Sequence, residues 1–216
     1  MTGVGDTLHP TWRGRIHRVA AAIAVPLFLG LVVAAPSPTA RLACAVYGIC
    51  VTTMLAVSAA YHAEGISPVR RRRLRRVDHS TILLAIAGSY TAVTTLALDG
   101  APERRLLTVV WIAAAIGIAV RMTWLHAPYP VVAIVYVQVG WCALIELDPL
   151  LESLGTLDTA LVAGGGVVYT AGAVVYALRR PDPAPAVFGY HEVFHALVTL
   201  AAAMHYAAVV HLVAGR

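Results

Sequence analysis

The sequence predicts an all-α protein, a single domain built as a bundle of seven transmembrane helices. Hydrophobic residues make up 59% of the 216 residues and charged residues only 12%, a composition that excludes an ordinary water-soluble domain. Crossing the hydrocarbon core of a bilayer takes about 20 mostly apolar residues. Seven such stretches, joined by short connections, lie at residues 19–35, 42–61, 80–98, 106–124, 131–147, 159–178 and 193–213. We therefore expect a multi-pass protein of the cell membrane.

Individual residues support these helices in chain order. Pro26 predicts a kink in the first helix. Tyr61 closes the second helix, and Trp124 and Tyr129 flank the connection between the fourth and fifth, as expected for aromatic rings at a membrane interface. Three consecutive glycines, 164–166, allow the sixth helix to approach a neighbour closely.

The arginines predict the orientation of the bundle. All sixteen positively charged residues are Arg. With the N-terminus in the cytoplasm, twelve fall on inner segments and four on outer segments, which satisfies the positive-inside rule. We therefore expect the N-terminus in the cytoplasm and the C-terminus outside. The inner arginines are Arg13, Arg15, Arg18, Arg70, Arg71, Arg72, Arg73, Arg75, Arg76, Arg121, Arg179 and Arg180; the outer ones are Arg41, Arg104, Arg105 and Arg216. The outer segments also carry most of the loop acids, which are Asp99, Glu103, Glu146, Asp148, Glu152 and Asp158.

The basic run at residues 70–76 and the formal net charge of +5 raise the question of nucleic-acid binding. No recognition module accompanies the run, so nucleic acid is not an expected partner. Attraction of these arginines to anionic lipids of the inner leaflet, at about 1 kcal/mol each, is the better interpretation.

Polar side chains cluster at the ends of three helices. Ser58 and His62, four residues apart, share one face at the end of the second helix, and the third helix is expected to open with Asp78. The dipole of a helix N-terminus would favour that carboxylate. His191 and His195 share one face where the seventh helix begins. The predicted orientation brings all of these groups to the cytoplasmic side, at a depth where polar residues are expensive and usually functional.

These residues predict a metal site. The three imidazoles of His62, His191 and His195, together with a water, would make an open four-coordinate Zn²⁺ site. Asp78 beside that water could orient it or accept its proton, with Ser58 nearby. Each histidine taken alone is more typical of a hydrogen-bonded packing residue, so the prediction depends on their convergence.

One motif suggests an alternative chemistry. The segment from His191 to His195 satisfies the H-E-x-x-H pattern of zinc metalloproteases, with Glu192 as the general base. No third ligand follows at the spacing of those enzymes, and His62 is available upstream. We therefore expect Glu192 to face water in the first turn of a helix, where the dipole favours an acid.

The remaining histidines receive no chemical role. His205 lies ten residues beyond His195, about 15 Å farther along the helix, and His211 is farther still. We expect both to be interhelical hydrogen-bond donors or polar groups of the outer leaflet. His17 and His79 are assigned no chemistry, and His79 is expected on a different face from Asp78.

Taken together, these motifs resemble the hemolysin III family. The resemblance rests on Ser58-x-x-x-His62, on Asp78 with the apolar helix after it, and on the segment from His191 to His195, and it covers nearly the whole chain. The stretch from Arg13 to His17 is similar to an Arg-Gly-x-x-His stretch that precedes the first helix in bacterial members. Related families are the progestin and adiponectin receptors and, more distantly, the alkaline ceramidases.

The resemblance implies a zinc site on the cytoplasmic side. It implies His62, His191 and His195 as the ligands, with Asp78 close to the zinc-bound water and Ser58 beside it. The adiponectin receptors carry Gln where this chain has Glu192, which argues further against a required glutamate base.

Three functions stay open at this point. The first is a zinc-dependent hydrolase acting on an amide or ester of a lipid from the inner leaflet, with Asp78 shuttling the proton. The second is a receptor or signalling protein in which zinc is structural and pins helices together. The third is a pore-forming cytolysin, which has the least support because no charged stripe lines a continuous channel. Membrane lipids are the expected partners.

Overall fold

The computed structural model describes residues 10–124 and 126–215, so His9 and Arg216 lie outside the described part. The chain is 83% helical, and no β-strand occurs in the described residues. Eight α-helices and one short 3₁₀ helix follow one another along the chain. They are α1 (Arg15–Ala34), α2 (Pro38–Tyr61), α3 (Pro68–Ala97), α4 (Gly100–Thr123), α5 (Tyr129–Gly140), the 3₁₀ helix Cys142–Glu146, α6 (Leu147–Ser153), α7 (Thr156–Leu178) and α8 (Tyr190–Ala214).

Seven of the helical segments in the described residues are long and apolar enough to cross a membrane. Six of them are single helices, and the fifth is the composite segment Tyr129–Ser153, which joins α5, the 3₁₀ helix and α6. The predicted all-α bundle of seven spans is confirmed. The protein is a multi-pass integral membrane protein.

The third helix is longer than its apolar sequence. Ser67 caps the N-terminus of α3 by accepting a hydrogen bond from the Arg70 N–H at 3.4 Å, and Pro68 occupies the first turn. Arginine is a good helix former, so the basic run continues the helix beyond the apolar stretch. The prediction that this helix opens with Asp78 is therefore wrong. Asp78 lies about three turns inside α3, and the helix dipole cannot be what favours its charge.

The fifth span is interrupted in its middle. The Tyr90 hydroxyl of α3 donates a hydrogen bond to the Gly140 carbonyl oxygen at 2.7 Å and accepts one from the Ala143 N–H at 2.8 Å. A side chain inserted into the hydrogen-bond ladder is a recognised cause of helix breaks. The Trp141 indole N–H donates to Thr170 Oγ1 at 3.0 Å, which ties the break to α7.

Packing between helices brings the predicted site together. Neighbours in sequence pack side by side, and α8 returns to contact both α1 and α3, which closes the bundle. Because consecutive spans run in opposite directions, the end of α2 and the starts of α3 and α8 lie at one end. We call this the arginine-rich end, since it carries residues 70–76.

Two acidic residues that the sequence assigned to loops, Glu146 and Asp158, are buried in the structure, and so is Arg121, which was predicted within the fourth span. Arg121 is only 3% exposed in the last turn of α4. Glu146 is buried and accepts hydrogen bonds from Arg105 at 2.7 and 3.0 Å, and Asp158 is buried beside His211, with Oδ1 and Nδ1 2.8 Å apart. The classification of Glu146 and Asp158 as loop acids is corrected, because each has a partner that makes burial tolerable.

Histidines of the C-terminal half of α8 make the interhelical contacts expected of them. His205 Nε2 donates to the Val162 carbonyl oxygen of α7 at 3.1 Å. His211 contacts Asp158, also in α7. The prediction that these two imidazoles bond between helices is confirmed.

Candidate metal centre

Three imidazoles converge at the arginine-rich end. His62 directly follows the last residue of α2, and His191 and His195 lie in the first two turns of α8. One ring nitrogen from each lies within 4.8 Å of the others. His62 Nε2 and His191 Nε2 are 3.0 Å apart. The predicted convergence of these three residues is therefore present in the structure, and the cluster could hold a metal ion.

The geometry of the cluster fits a tetrahedral divalent ion. A zinc ion with Zn–N bonds of about 2.0–2.1 Å holds two ligand nitrogens roughly 3.3 Å apart, close to the separation of His62 and His191. The rings are splayed, since the three pairs have centroid separations of 4.5–5.1 Å and interplanar angles of 52–67°. His62 and His195 are buried. The donor set is thus suited to an ion that accepts imidazole and leaves one position open.

Asp78 and Ser58 lie in the wall of a cavity that reaches this cluster. Both side chains are buried, and both line the cavity that His191 and His195 also line. The Ser58 side chain lies close to the Asp78 carboxyl group. Although Asp78 is not at a helix end, the packing of α3 against α2 and α8 brings it to the depth that the sequence predicted.

The cavity is a long apolar space inside the bundle. Its volume is about 230 Å³, and most of its lining is apolar. It extends from His195 to Leu150 of α6 and to Leu154, which directly follows α6, at the opposite end of the bundle. On α3 its lining runs from Asp78 to Thr94, about 24 Å at 1.5 Å per residue. The imidazoles therefore stand at one end of an apolar space with the dimensions of an extended chain.

His17 is a member of the site that the sequence did not indicate. It is 2% exposed, and its ring stacks on that of His195 with centroids 3.9 Å apart and an interplanar angle of 3°. The lone pair of an imidazole nitrogen lies in the plane of its ring, so two parallel stacked rings cannot both point at one ion. His17 is therefore a neighbour of the ligands and not a fourth ligand in this arrangement. The Arg-Gly-x-x-His stretch from Arg13 to His17 was the available signal.

Glu192 does not face water, and that expectation is wrong. The residue is 1% exposed. Its Oε1 contacts Arg13 Nε at 2.6 Å, and its Oε2 accepts a hydrogen bond from the Gly189 N–H at 2.9 Å. Glu192 is buried because the segment before α1 covers the start of α8. Since both carboxylate oxygens are engaged in structural contacts, Glu192 is not positioned as the base of a metalloprotease.

His79 also belongs to the surroundings of the site. It was expected on a different helical face from Asp78. In the structure, both residues line the same cavity. Its Nδ1 accepts a hydrogen bond from the Arg121 guanidinium, and its carbonyl oxygen accepts one from the Tyr136 hydroxyl at 2.9 Å. The sequence did not reveal this pairing, because it depends on how α3 packs against α4.

Comparison with known proteins agrees with this architecture. The sequence profile of the family described as Haemolysin-III related matches residues 6–206. The chain belongs to the haemolysin-III related family. Among its relatives, "Hemolysin-3" of Bacillus cereus is 27% identical over 163 residues, which is 74% of each chain. "Hemolysin-3 homolog" of Bacillus subtilis (strain 168) is 30% identical over 125 residues, which is 58% of this chain and 56% of the relative. No solved structure gives a significant match.

Proposed function

We propose that this haemolysin-III related protein is a zinc-dependent hydrolase that cleaves an amide or ester bond of a membrane lipid. The observation that carries the proposal is a cluster of three imidazoles, two of which, His191 and His195, line an apolar cavity that Asp78 also lines. Polar ligands, a carboxylate and a lipid-sized apolar space rarely coincide by packing alone, because buried polar groups at membrane depth are costly.

His62, His191 and His195 would hold the ion. When bound, zinc supplies a Lewis acid that polarises a carbonyl oxygen and brings the pKa of a water close to 7. Asp78 and Ser58 line the cavity that His191 and His195 also line, so a substrate in that cavity would lie next to both groups. The reacting bond would therefore be held between the imidazoles and the carboxylate.

Asp78 is the proposed general base and acid. Its carboxylate takes a proton from the attacking water and then delivers that proton to the leaving nitrogen or oxygen of the lipid. Ser58 orients the carboxylate through the contact between their side chains. Neither residue binds the ion.

The cavity suggests that the substrate carries a long acyl chain. Its length along α3 is about 24 Å, whereas half of a hydrocarbon core of about 30 Å is roughly 15 Å. An extended acyl chain of a leaflet lipid therefore fits. The arginine-rich end is proposed to face the cytoplasm, so the lipid would come from the inner leaflet.

The test compares Asp78→Asn with Asp99→Asn, the same isosteric change at an exposed aspartate of the opposite end. Purified proteins receive vesicles that contain an N-acyl amide lipid and an acylglycerol, each with an isotopically labelled acyl chain. We expect Asp78→Asn to lower fatty-acid release by about 100- to 10,000-fold while bound zinc is retained, and Asp99→Asn to match the wild type. Wild-type protein that contains no zinc, or equal release by both variants, would contradict the proposal.

A structural metal is the second candidate function. The contact between His62 and His191 joins the end of α2 to the start of α8, so an ion there could serve mainly to pin these helices in a receptor. In that case His62→Ala empties the site and lowers the melting temperature, whereas Asp78→Asn has little effect and neither lipid is hydrolysed.

The names of the relatives suggest a third candidate, a cytolysin. The two relatives described above are named "Hemolysin-3" and "Hemolysin-3 homolog". A pore would release a soluble dye from vesicles without lipid turnover. Leakage that persists in the His62→Ala protein would separate such an activity from the metal site.

A further inference from the structure

The segment before the first helix, together with the first residues of that helix, lies across the start of α8. We call residues 10–17 the N-terminal strap. Its backbone pairs with the loop that precedes α8, since the Thr11 N–H donates to the Ala186 carbonyl oxygen and the Trp12 N–H to the Val187 carbonyl oxygen, each at 3.2 Å. The strap is therefore fixed in place by main-chain contacts before any of its side chains are considered.

Arg13 connects the strap to the first turn of α8. Its Nε contacts Glu192 Oε1 at 2.6 Å, with the arginine side chain 25% exposed and the glutamate side chain 2% exposed. Glu192 also caps the helix by accepting the Gly189 N–H. Because Glu192 directly follows His191 in the same turn, this contact fixes the part of the backbone that carries a proposed ligand.

Gly14 connects the strap to the end of α2. Its φ angle is +73°, a conformation that strongly favours glycine. A Cβ atom at this position would lie 2.8 Å from the Cβ of His62, closer than real Cβ contacts allow. The absence of a side chain at Gly14 thus lets the strap backbone pack directly against His62, a second proposed ligand.

His17 connects the strap to the third proposed ligand. Its ring covers the face of the His195 ring in the stack described above. Three strap residues therefore reach the surroundings of His62, His191 and His195, although the strap is separated from α8 by more than 170 residues of sequence.

We propose that the N-terminal strap positions the metal ligands, so that the affinity of the centre for its ion depends on Arg13, Gly14 and His17. This inference rests on the metal site of the proposed function and adds to it the residues that hold the ligands in place. His62 lies just beyond the last residue of α2 and has no following helical turn to hold it. Groups that orient metal ligands typically change metal affinity by about 10- to 100-fold when they are removed.

The first test measures zinc dissociation constants of the full-length protein in detergent, against a competing chelator. We expect Arg13→Gln, Gly14→Ala and His17→Ala each to weaken zinc binding by about 10- to 100-fold. Arg15→Gln and Arg18→Gln are the matched controls, because both arginines are exposed neighbours in the same segment, and their zinc affinity should equal that of the wild type.

A second readout separates positioning from general stability. In the Co²⁺-loaded protein, the visible ligand-field spectrum reports the geometry of the ligands. We expect His17→Ala to change this spectrum and His17→Phe, which keeps a flat ring against His195, to recover most of it. Arg13→Lys, which keeps the charge, should recover part of the zinc affinity lost in Arg13→Gln.

The outcomes distinguish the two proposals. Wild-type protein without zinc binding overturns the metal site and this inference together. Zinc bound equally tightly by the wild type and by the Arg13, Gly14 and His17 variants overturns the inference alone. Should Gly14→Ala fail to fold, Glu192→Gln gives the same comparison, since it removes the charge that Arg13 contacts and keeps an oxygen for the Gly189 N–H; wild-type affinity in that variant and in Arg13→Gln counts against the strap.

Discussion

Arg121 holds a positive charge inside the bundle, and its partners fix the state of a neighbouring imidazole. Its guanidinium donates to His79 Nδ1 and, at 3.0 Å, to the Trp124 carbonyl oxygen. Arginine has no hydrogen-bond acceptor, so Nδ1 of His79 must accept and cannot carry the proton. The neutral ring therefore carries its proton on Nε2, which makes His79 a hydrogen-bond donor in the wall of the cavity.

This tautomer can be measured by ¹⁵N NMR on histidine-labelled protein. We expect His79, assigned by the signal lost in His79→Gln, to show a protonated Nε2 and an unprotonated Nδ1. Arg121→Met removes the donor and should abolish the preference for that tautomer, whereas Arg104→Met, at an exposed arginine of the opposite end, should leave it intact. A proton found on Nδ1 in the wild type would show that the Arg121 contact is wrong.

The sequence predicted the site residues that are related by spacing along a helix. It missed the contacts between residues that are distant in sequence. The spacing of His191 and His195 places them on one helical face. Because helix ends alternate between the two sides of the membrane, the sequence also predicted that His62 lies at the same depth. The stack of His17 on His195 depends on where α1 lies against α8, which no local pattern encodes. Glu192 was misassigned for the same reason, because the residue that buries it, Arg13, is distant in sequence.

At the scale of elements, the fifth span shows the limit of hydropathy. Its apolar composition is continuous, so the sequence predicts one helix at 131–147, whereas the structure has α5, a 3₁₀ turn and α6. The break depends on Tyr90, which lies on another helix and serves both the Gly140 carbonyl and the Ala143 N–H. Similarly, the length of α3 depends on a capped, charged extension that a search for apolar residues ignores.

Removing the Tyr90 hydroxyl should destabilise the bundle. In Tyr90→Phe, two main-chain groups lose their partner in an environment with little water to replace it, and we expect unfolding to become easier by about 1–3 kcal/mol. The measurement is reversible unfolding in mixed detergent. Tyr129→Phe is the control, since Tyr129 contacts Arg179 through its ring and should behave as the wild type. Equal stability of the two variants would show that Tyr90 does not hold the break.

At the scale of the whole molecule, the excess of arginines on the inner side remains when the buried charges are left out of the count. Arg121 is inside the bundle, so eleven of the twelve arginines assigned to the inner side remain as topology signals, against four on the outer side. Glu146 and Asp158 are buried in pairs with Arg105 and His211. Acids carry little topological information in any case, and the orientation stays a prediction with the N-terminus in the cytoplasm.

Labelling of single cysteines tests this orientation. In a protein whose Cys44, Cys50 and Cys142 are replaced by alanine, Glu152→Cys should react in intact cells with a membrane-impermeant maleimide. Glu64→Cys, at an exposed position between α2 and α3, should react only after the cells are opened. The reverse pattern would invert the bundle and assign the metal centre to the outer leaflet.

The length of α3 bears on how the two reactants of the proposed hydrolysis, a lipid and water, could reach the same site. Its 30 residues span about 45 Å, against a hydrocarbon thickness of about 30 Å, so its first turns extend among the lipid headgroups. Asp78 and the imidazole cluster would then lie near the boundary between the hydrocarbon core and the aqueous phase. In the proposed reaction, the acyl chain would therefore come from the hydrocarbon side and water from the aqueous side of the same site.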